Sequence, residues 1–317
     1  MQFGVVDLEA PIEEQVAAMR AACEDLGFFR IPLASVPRVV ADGAWDAARD
    51  FFALPEAQKR EIEFPHAGYP YGYSPFRFET LGRSIDDAAA LPDLKESLSV
   101  GPDCGLASLE AGRLAGGEEW IRQPSLWPVA VAHLRPAWTA YYRALSHVAA
   151  RLLSVMARVL DLQPTHFDSL IDRPITSMRA IHYPAADDDR GDTDDRSLRA
   201  GAHGDYGTLT ILRTDEVGGL QVVDRSGGWI DVDPDPDMFV VNLGDSISQW
   251  TNDRWPSTLH RVVPRPEARQ SMAFFHMANW DAVIECLPTC VVPGEAARHA
   301  PVEAGPWLMR KFQATVE

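Results

Sequence analysis

The sequence predicts a mixed α/β chain with a mainly β core, and three features predict it. Short β-prone runs crowd the stretch from residue 207 to 277 and are separated by Gly, Pro and Asp: "GTLTIL", "GLQVVD", "GWIDV", "MFVVNLG", "HRVVP" and "SMAFFHM". Such closely spaced strands with turn signals argue for an antiparallel sandwich or barrel. One long helical stripe precedes them, and the first hundred residues mix helical and strand-like periods.

Taken in order, "FGVVDL" is a short apolar strand candidate. It is followed by "PIEEQVAAMRAACEDLG", in which Val16, Met19, Ala22, Cys23 and Leu26 recur at helical spacing. Pro11 suits the start of that helix and Gly27 its end. "FFRIPL" is a second strand, and "VPRVVADGAWDAARDFFALP" a second helix that stops at Pro55. From Gly68 to Arg83 the run "GYPYGYSPFRFETLGR" fits neither period; it predicts an ordered loop, with its aromatics either folded onto the core or covering a ligand as a lid. Between Trp127 and Leu162, Trp138, Tyr141, Tyr142, Leu145, Val148, Ala149, Leu152, Leu153, Met156 and Leu160 make the stripe of a long, core-packed helix. The Asp-rich "ADDDRGDTDDRSLRAG" lacks the register and closing glutamate of a calcium loop, so it is expected to be a solvated loop.

Twenty-nine basic against forty-six acidic residues give a net charge of −17, which repels phosphate backbones and anionic membrane surfaces. Nucleic acid is not an expected partner. No apolar stretch is long enough to span a bilayer, and nothing at the start resembles a signal peptide. With four scattered cysteines, a reducing cytoplasm is the expected location. Cys286 and Cys290 could offer two thiolates to zinc, but no second pair stands at finger-like spacing.

The chemistry centres on "AHGDYGTLTIL". His203 and Asp205 are two apart, so on an extended segment both side chains lie on one side and can reach one metal ion. His260, in "WPSTLHRVV", begins another β-prone run and supplies a third donor if neighbouring strands bring the two runs together. Two His and one Asp make the facial triad of non-heme Fe(II) oxygenases, which leaves coordination positions open, although a zinc hydrolase could use similar donors. Beyond His260, "RQS" places Arg269 and Ser271 on one face of a strand, a matched pair for a carboxylate.

These residues carry a resemblance. The chain resembles an iron(II)/2-oxoglutarate-dependent dioxygenase of the isopenicillin N synthase-like group along nearly its whole length. In the N-terminal part the resemblance includes "FGVVDL", "ACEDLGFFRI", "FFALPEAQKREI", "GYSPFRFETLG" and "PDLKESLSVGP". In the C-terminal part it includes "HYP", "AHGDYGTLTIL", "GGLQV", "VNLGDSISQWTNDRWPSTLHRVV", "RQSMAFF" and "NWDAVIECLP".

The resemblance implies a distorted double-stranded β-helix, or jelly roll, with an N-terminal α/β region and a long supporting helix. Residues 1–125 would form the N-terminal dioxygenase region with its aromatic lid loop, and residues 126–317 the long helix, the jelly-roll core and a C-terminal segment. It implies Fe(II) held by His203, Asp205 and His260, 2-oxoglutarate held by Arg269 and Ser271 with the Tyr183 hydroxyl in the same pocket, and O2 as the oxidant. The reaction implied is decarboxylation of 2-oxoglutarate to succinate and CO2, coupled to oxidation of a C–H bond of a small organic molecule. Hydroxylation is the expected outcome, with desaturation or ring closure as variants. Tyr71, Phe76, Arg77, His182 and Phe275 are the candidate substrate contacts, with core packing or a structural hydrogen bond as the competing role for His182 and Phe275. Two positions depart from the group's common pattern: Ile181 stands where many relatives have Asn, and Ala202 where many have Trp. Two alternatives stay open, an isopenicillin N synthase-like Fe(II) oxidase that uses no 2-oxoglutarate and a non-catalytic metal-binding jelly roll; oligomeric state is not readable.

Overall fold

A computed structural model describes residues 3–66, 68–85, 89–104, 116–185 and 197–316. Helix α1 (Ile12–Glu24) starts after Pro11, carries Glu13 and Glu14 in its first turn where the helix dipole favours them, and buries Met19, Ala22 and Cys23. Gly27, at φ +66°, turns the chain into strand β1 (Phe28–Pro32) at a point where a side chain would meet the Pro256 carbonyl. Helix α2 (Arg38–Phe52) buries Ala41, Ala44, Ala47, Ala48, Phe51 and Phe52, a small-residue face that lets it approach the long helix closely. The short α3 (Glu56–Lys59) follows.

"FGVVDL" forms no strand: only Val5 bridges to Arg30, in parallel, at the edge of β1. The aromatic stretch, which fits no period, contains strand β2 (Gly72–Ser74), paired with β3 (Glu96–Val100). Gly72, at φ +123°, breaks the alternation between two of its aromatics. Tyr73 packs on Phe51 in the helix-covered core, whereas Tyr71, two residues earlier, belongs to a separate cluster with Ile121, Ile175 and Trp280. Helix α4 (Leu134–Val159) is the predicted long helix, begun seven residues later than the apolar pattern because Pro128 and a single turn at Val129–Val131 precede it.

The remaining strands are β4 (Ser177–Tyr183), β5 (Ala200–His203), β6 (Leu209–Thr214), β7 (Leu220–Val223), β8 (Trp229–Asp231), β9 (Met238–Leu243), β10 (His260–Val262) and β11 (Arg269–His276), with α5 (Asp245–Trp250) between β9 and β10. A small β12 (Val283–Ile284) and β13 (Val302–Glu303) pair leads into the C-terminal helix α6 (Ala304–Val316). Residues 186–196 of the Asp-rich stretch lie outside the described residues.

Two antiparallel sheets make the jelly roll. The larger runs β1-β9-β6-β11-β4-β3-β2 and the smaller β5-β10-β7-β8. Residues from before and after position 125 share the larger sheet, since β1, β2 and β3 hydrogen-bond into it at both ends. Side chains alternate across this sheet as the period of two requires. On β4 and β11, Met178, Ala180, Met272 and Phe274 face the helices, with Phe274 edge-on to Tyr142 of α4 at 5.1 Å. The alternate residues Arg179, Ile181, Tyr183, Arg269, Ser271 and Ala273 face the space between the sheets. The helices therefore bury one face of the large sheet and leave the other to build a cavity.

Candidate functional site

The space between the sheets is a cavity of about 210 Å³, walled by both sheets, by Tyr71 and Trp120, and by Leu308 and Phe312 of α6. His203 ends β5 and His260 begins β10, and the two are direct cross-strand partners with ring centroids 4.3 Å apart. Asp205 lies just past β5, and its Oδ1 is 3.9 Å from His260 Nε2. One donor atom from each of the three falls within 4.8 Å of the others, a spacing at which a single cation can touch all three. This is the one His/Cys/Asp/Glu cluster of that kind among the described residues; Cys286 and Cys290 gather no such set, and all four cysteines are free thiols.

Each donor is aimed by a hydrogen bond on its far side. His203 Nδ1 donates to the Gly201 carbonyl at 2.7 Å and His260 Nδ1 to the Thr258 carbonyl at 3.2 Å, which leaves both Nε2 atoms as acceptors. Asp205 Oδ2 accepts from Thr210 Oγ1 at 2.6 Å and from Asn242 Nδ2 at 2.7 Å, which leaves Oδ1 toward the histidines. Burial and the adjacent His260 push the His203 imidazole well below the usual histidine range, so it is neutral at pH 7 as a ligand must be. Burial works to raise the Asp205 carboxyl, but His260, His203, Asn242 and Thr210 together hold it below its ordinary value. The loop that carries Asp205 is pinned by the Asp245 amide, which donates to the Asp205 carbonyl at 2.8 Å. Gly207 and Gly244 make that approach possible, since a methyl group on either would run into backbone.

Further along the groove, Arg269 is 2 % exposed and meets no carboxylate among the described residues. Its Nη1 donates to Ser271 Oγ at 3.3 Å, its Nε has no partner, and its guanidinium lies over the Tyr183 ring at 4.9 Å. A buried cation without an acid costs several kcal/mol, roughly, unless an anion completes it. Arg199, whose guanidinium also lies over the Tyr183 ring at 5.8 Å, spends one guanidinium nitrogen on the carbonyls of Pro184, Arg265 and Glu267, while burial and Arg269 push its pKa down. The donor set around Arg269 and Ser271 therefore fits a carboxylate.

Of the candidate substrate contacts, Tyr71 and Phe275 line the cavity; the Tyr71 hydroxyl donates to the Ile121 carbonyl at 2.6 Å. Phe76, Arg77 and His182 are not on its wall. His182 has the opposite parity to Ile181 and Tyr183, so it turns to the helix side, where its Nδ1 meets Glu96 Oε1 at 2.8 Å and its ring stacks on Phe52. Arg77 takes a left-handed φ of 62° and folds back over Phe76 at 5.6 Å, so the turn carries both away from the groove. Ala202 also lies off the wall, so its small side chain adds no room there, whereas Ile181 does line it. Lys95 and Arg179 on the wall, with Glu79 between them, are functional candidates that composition alone hides; the parity of β4, read outward from Tyr183, could have found Arg179.

Comparisons with known proteins agree with this geometry. The sequence pattern of the 2OG-Fe(II) oxygenase superfamily matches residues 174–278, and that of the non-haem dioxygenase in morphine synthesis N-terminal region matches residues 4–130. The chain is 36% identical over 294 residues to the 2-oxoglutarate-Fe(II) type oxidoreductase hxnY of Emericella nidulans, covering 90% of this chain and 80% of that one. A 2OG-Fe(II) oxygenase family protein from Caulobacter crescentus superposes with a TM-score of 0.83 at 29% identity, over 98% of both chains. A full-length Neurospora crassa protein in complex with alpha-KG and thymine gives 0.82 at 26% identity, over 98% of this chain and 96% of the other. The chain belongs to the 2OG-Fe(II) oxygenase superfamily and is a dioxygenase that uses Fe(II), 2-oxoglutarate and O2 on a small molecule.

Proposed function

We propose that His203, Asp205 and His260 hold the iron, that Arg269 and Ser271 hold the distal carboxylate of 2-oxoglutarate with Tyr183 beside them, and that the reaction is hydroxylation of a small organic substrate. The observation that carries this reading is the buried Arg269, without an acid partner among the described residues, on the same groove as the two-His, one-Asp cluster. When bound, Fe(II) with 2-oxoglutarate would let O2 oxidise a C–H bond, one oxygen atom going to succinate as CO2 leaves and the other to the substrate hydroxyl.

The residues of the chain bind, aim and exclude. Thr210 and Asn242 fix the Asp205 carboxylate so that one oxygen is presented and the other spent. The backbone carbonyls of Gly201 and Thr258 fix the two imidazole tautomers. Arg269, itself buried, gives charge-assisted hydrogen bonds, and the Tyr183 ring backs its guanidinium at 4.9 Å. Trp120, Leu308 and Phe312 wall the opposite end and keep bulk water from the reacting carbon. No side chain is required as a general acid or base.

Anaerobic titration of the Fe(II)-loaded protein with 2-oxoglutarate should produce a visible metal-to-ligand charge-transfer band. Asp205→Ala should abolish the band and Fe(II)-dependent turnover while leaving the circular dichroism spectrum unchanged. A wild-type protein that turns substrate over without the band and without succinate would be an oxidase of the isopenicillin N synthase kind instead.

A further inference from the structure

Outside the iron and cosubstrate positions, the strongly charged part of the cavity wall is Glu79, Lys95 and Arg179. Arg179 stands on β4 opposite Ala273 of β11, on the same face as Tyr183 and four residues before it, or about 13 Å along the strand. The small Ala273 leaves room in front of its guanidinium. What this cluster can still bind follows from what is already spent.

Glu79 is spent. Arg179 Nη1 donates to both of its oxygens at 2.9 Å, and Lys95 Nζ lies 3.1 Å from Oε2. Burial alone would raise the Glu79 carboxyl, but Arg179 and Lys95 bring it to about 2, so it stays charged and saturated. Lys95 is also held by Asp93 at 2.9 Å, whose other oxygen accepts from the Gly201 amide of the metal-bearing strand. Arg179 Nε donates to Ser99 Oγ at 2.8 Å, while its Nη2 has no partner among the described residues. The unspent capacity is therefore donor capacity, from Arg179 Nη2 with the Ser177 hydroxyl near it on the same strand face. A cationic substrate would need an acid, and Glu79, the acid on this part of the wall among the described residues, is occupied. The rest of the wall is apolar, with Tyr71, Trp120, Ile175, Phe275, Met277 and Leu308.

We propose that Arg179, braced by Glu79 and Ser99, selects the substrate, and that the substrate is a small carboxylic acid with an apolar or aromatic body whose carboxylate docks on Arg179. This deepens the Fe(II)/2-oxoglutarate reading and rests on it for the fate of the bound acid. The carboxylate at Arg179 and the cosubstrate at Arg269 would lie at opposite ends of one groove, with the substrate body between them near the His203/His260 pair.

The test uses protein loaded anaerobically with Fe(II) and 2-oxoglutarate, whose charge-transfer band reports the cosubstrate reading by itself. The probes are phenylacetate and 3-phenylpropionate, their primary amides, and phenethylamine, followed by their perturbation of the band and by quenching of tryptophan fluorescence, which needs no metal. The acids should bind at least tenfold more tightly than the amides, and the amine more weakly still. Arg179→Met should erase the preference for acid over amide while the band with 2-oxoglutarate still forms. Arg179→Lys, which keeps a charged partner for Glu79, should retain the fold and part of the preference. Failure of either acid to bind, equal binding of acid and amide, tighter binding of the amine, or an unchanged preference in Arg179→Met would overturn the proposal. Loss of the band in wild-type protein with acid binding intact would overturn the cosubstrate reading and leave the Arg179 assignment standing.

Discussion

At the scale of single residues, the donor atoms of the site are positioned by groups that never touch a ligand. Asp205 could rotate or chelate with both oxygens if Thr210 and Asn242 did not claim Oδ2. Asn242→Ala should weaken Fe(II) binding by about 10- to 100-fold, the cost of losing a partner that orients a metal ligand, as measured by competition with a chelator. Thr210→Val should act in the same direction, and an unchanged Fe(II) affinity in both would show that Asp205 needs neither. The grouping of His203 with Asp205, and of Arg269 with Ser271, was legible because two-residue spacing puts neighbours on one face of extended chain, whereas His260 joins the first pair through the β5–β10 pairing. Asn242 was not legible, since it lies 37 positions from Asp205 in the sequence and is brought there by the β6–β9 pairing. Of the two roles open to His182, the structure shows the structural hydrogen bond, since its parity, opposite to Tyr183, puts it behind the sheet.

At the scale of elements, the back of the large sheet carries its own buried charge network. Lys59 of α3 reaches Glu96 of β3 at 2.6 Å, and the Tyr73 hydroxyl of β2 and His182 of β4 complete it, so four elements are tied to one carboxylate. Burial would raise the Glu96 carboxyl, but hydrogen bonds from His182, Lys59 and Tyr73 bring it from 4.5 to about 2. A folded value below the unfolded one stabilises the protein above the unfolded pKa and loses that contribution as pH falls through the folded one. The interaction should contribute about 3 kcal/mol above about pH 5, disappearing toward pH 2. Glu96→Gln should therefore lower Tm at neutral pH and flatten the acid limb of the Tm-against-pH curve, measured by calorimetry. A limb as steep as wild type would place the acid sensitivity elsewhere, with Glu79 the next carboxylate to substitute. None of this network was visible in the sequence, because β2 and β3 are short and irregular in pattern and draw their regularity from pairing with β4.

At the scale of the whole molecule, segments far apart in the chain close one cavity. Phe312 of α6 rests on Trp120 at 5.1 Å, and Lys311 reaches Asp245 of α5 at 2.9 Å, so the C-terminal helix is fastened to the region before α4 and to the turn behind Asp205. Phe312→Ala combined with Lys311→Ala should admit water and raise succinate release without substrate several-fold, with Fe(II) affinity unchanged; an unaltered rate would show that α6 does not seal the site. The long helix and an antiparallel sandwich or barrel were legible from periodicity, and the jelly roll from the resemblance. The role of α6 was not, because its contacts join residues 66 positions apart, at Asp245, and almost two hundred apart, at Trp120.

The alternation on β4 and β11 has one more consequence. Met178, Ala180, Met272 and Phe274 answer to the helices, while Arg179, Ile181, Tyr183, Arg269, Ser271 and Ala273 answer to whatever occupies the groove. Substitutions in the second set can retune the chemistry and leave the scaffold intact, one site at a time. A single inserted residue in either strand would swap the faces of that strand's residues on one side of the insertion, driving groove side chains under the helices and core side chains toward the groove. Descendants of this chain can therefore diversify by replacement within these strands, while changes of length must be absorbed by the loops between them.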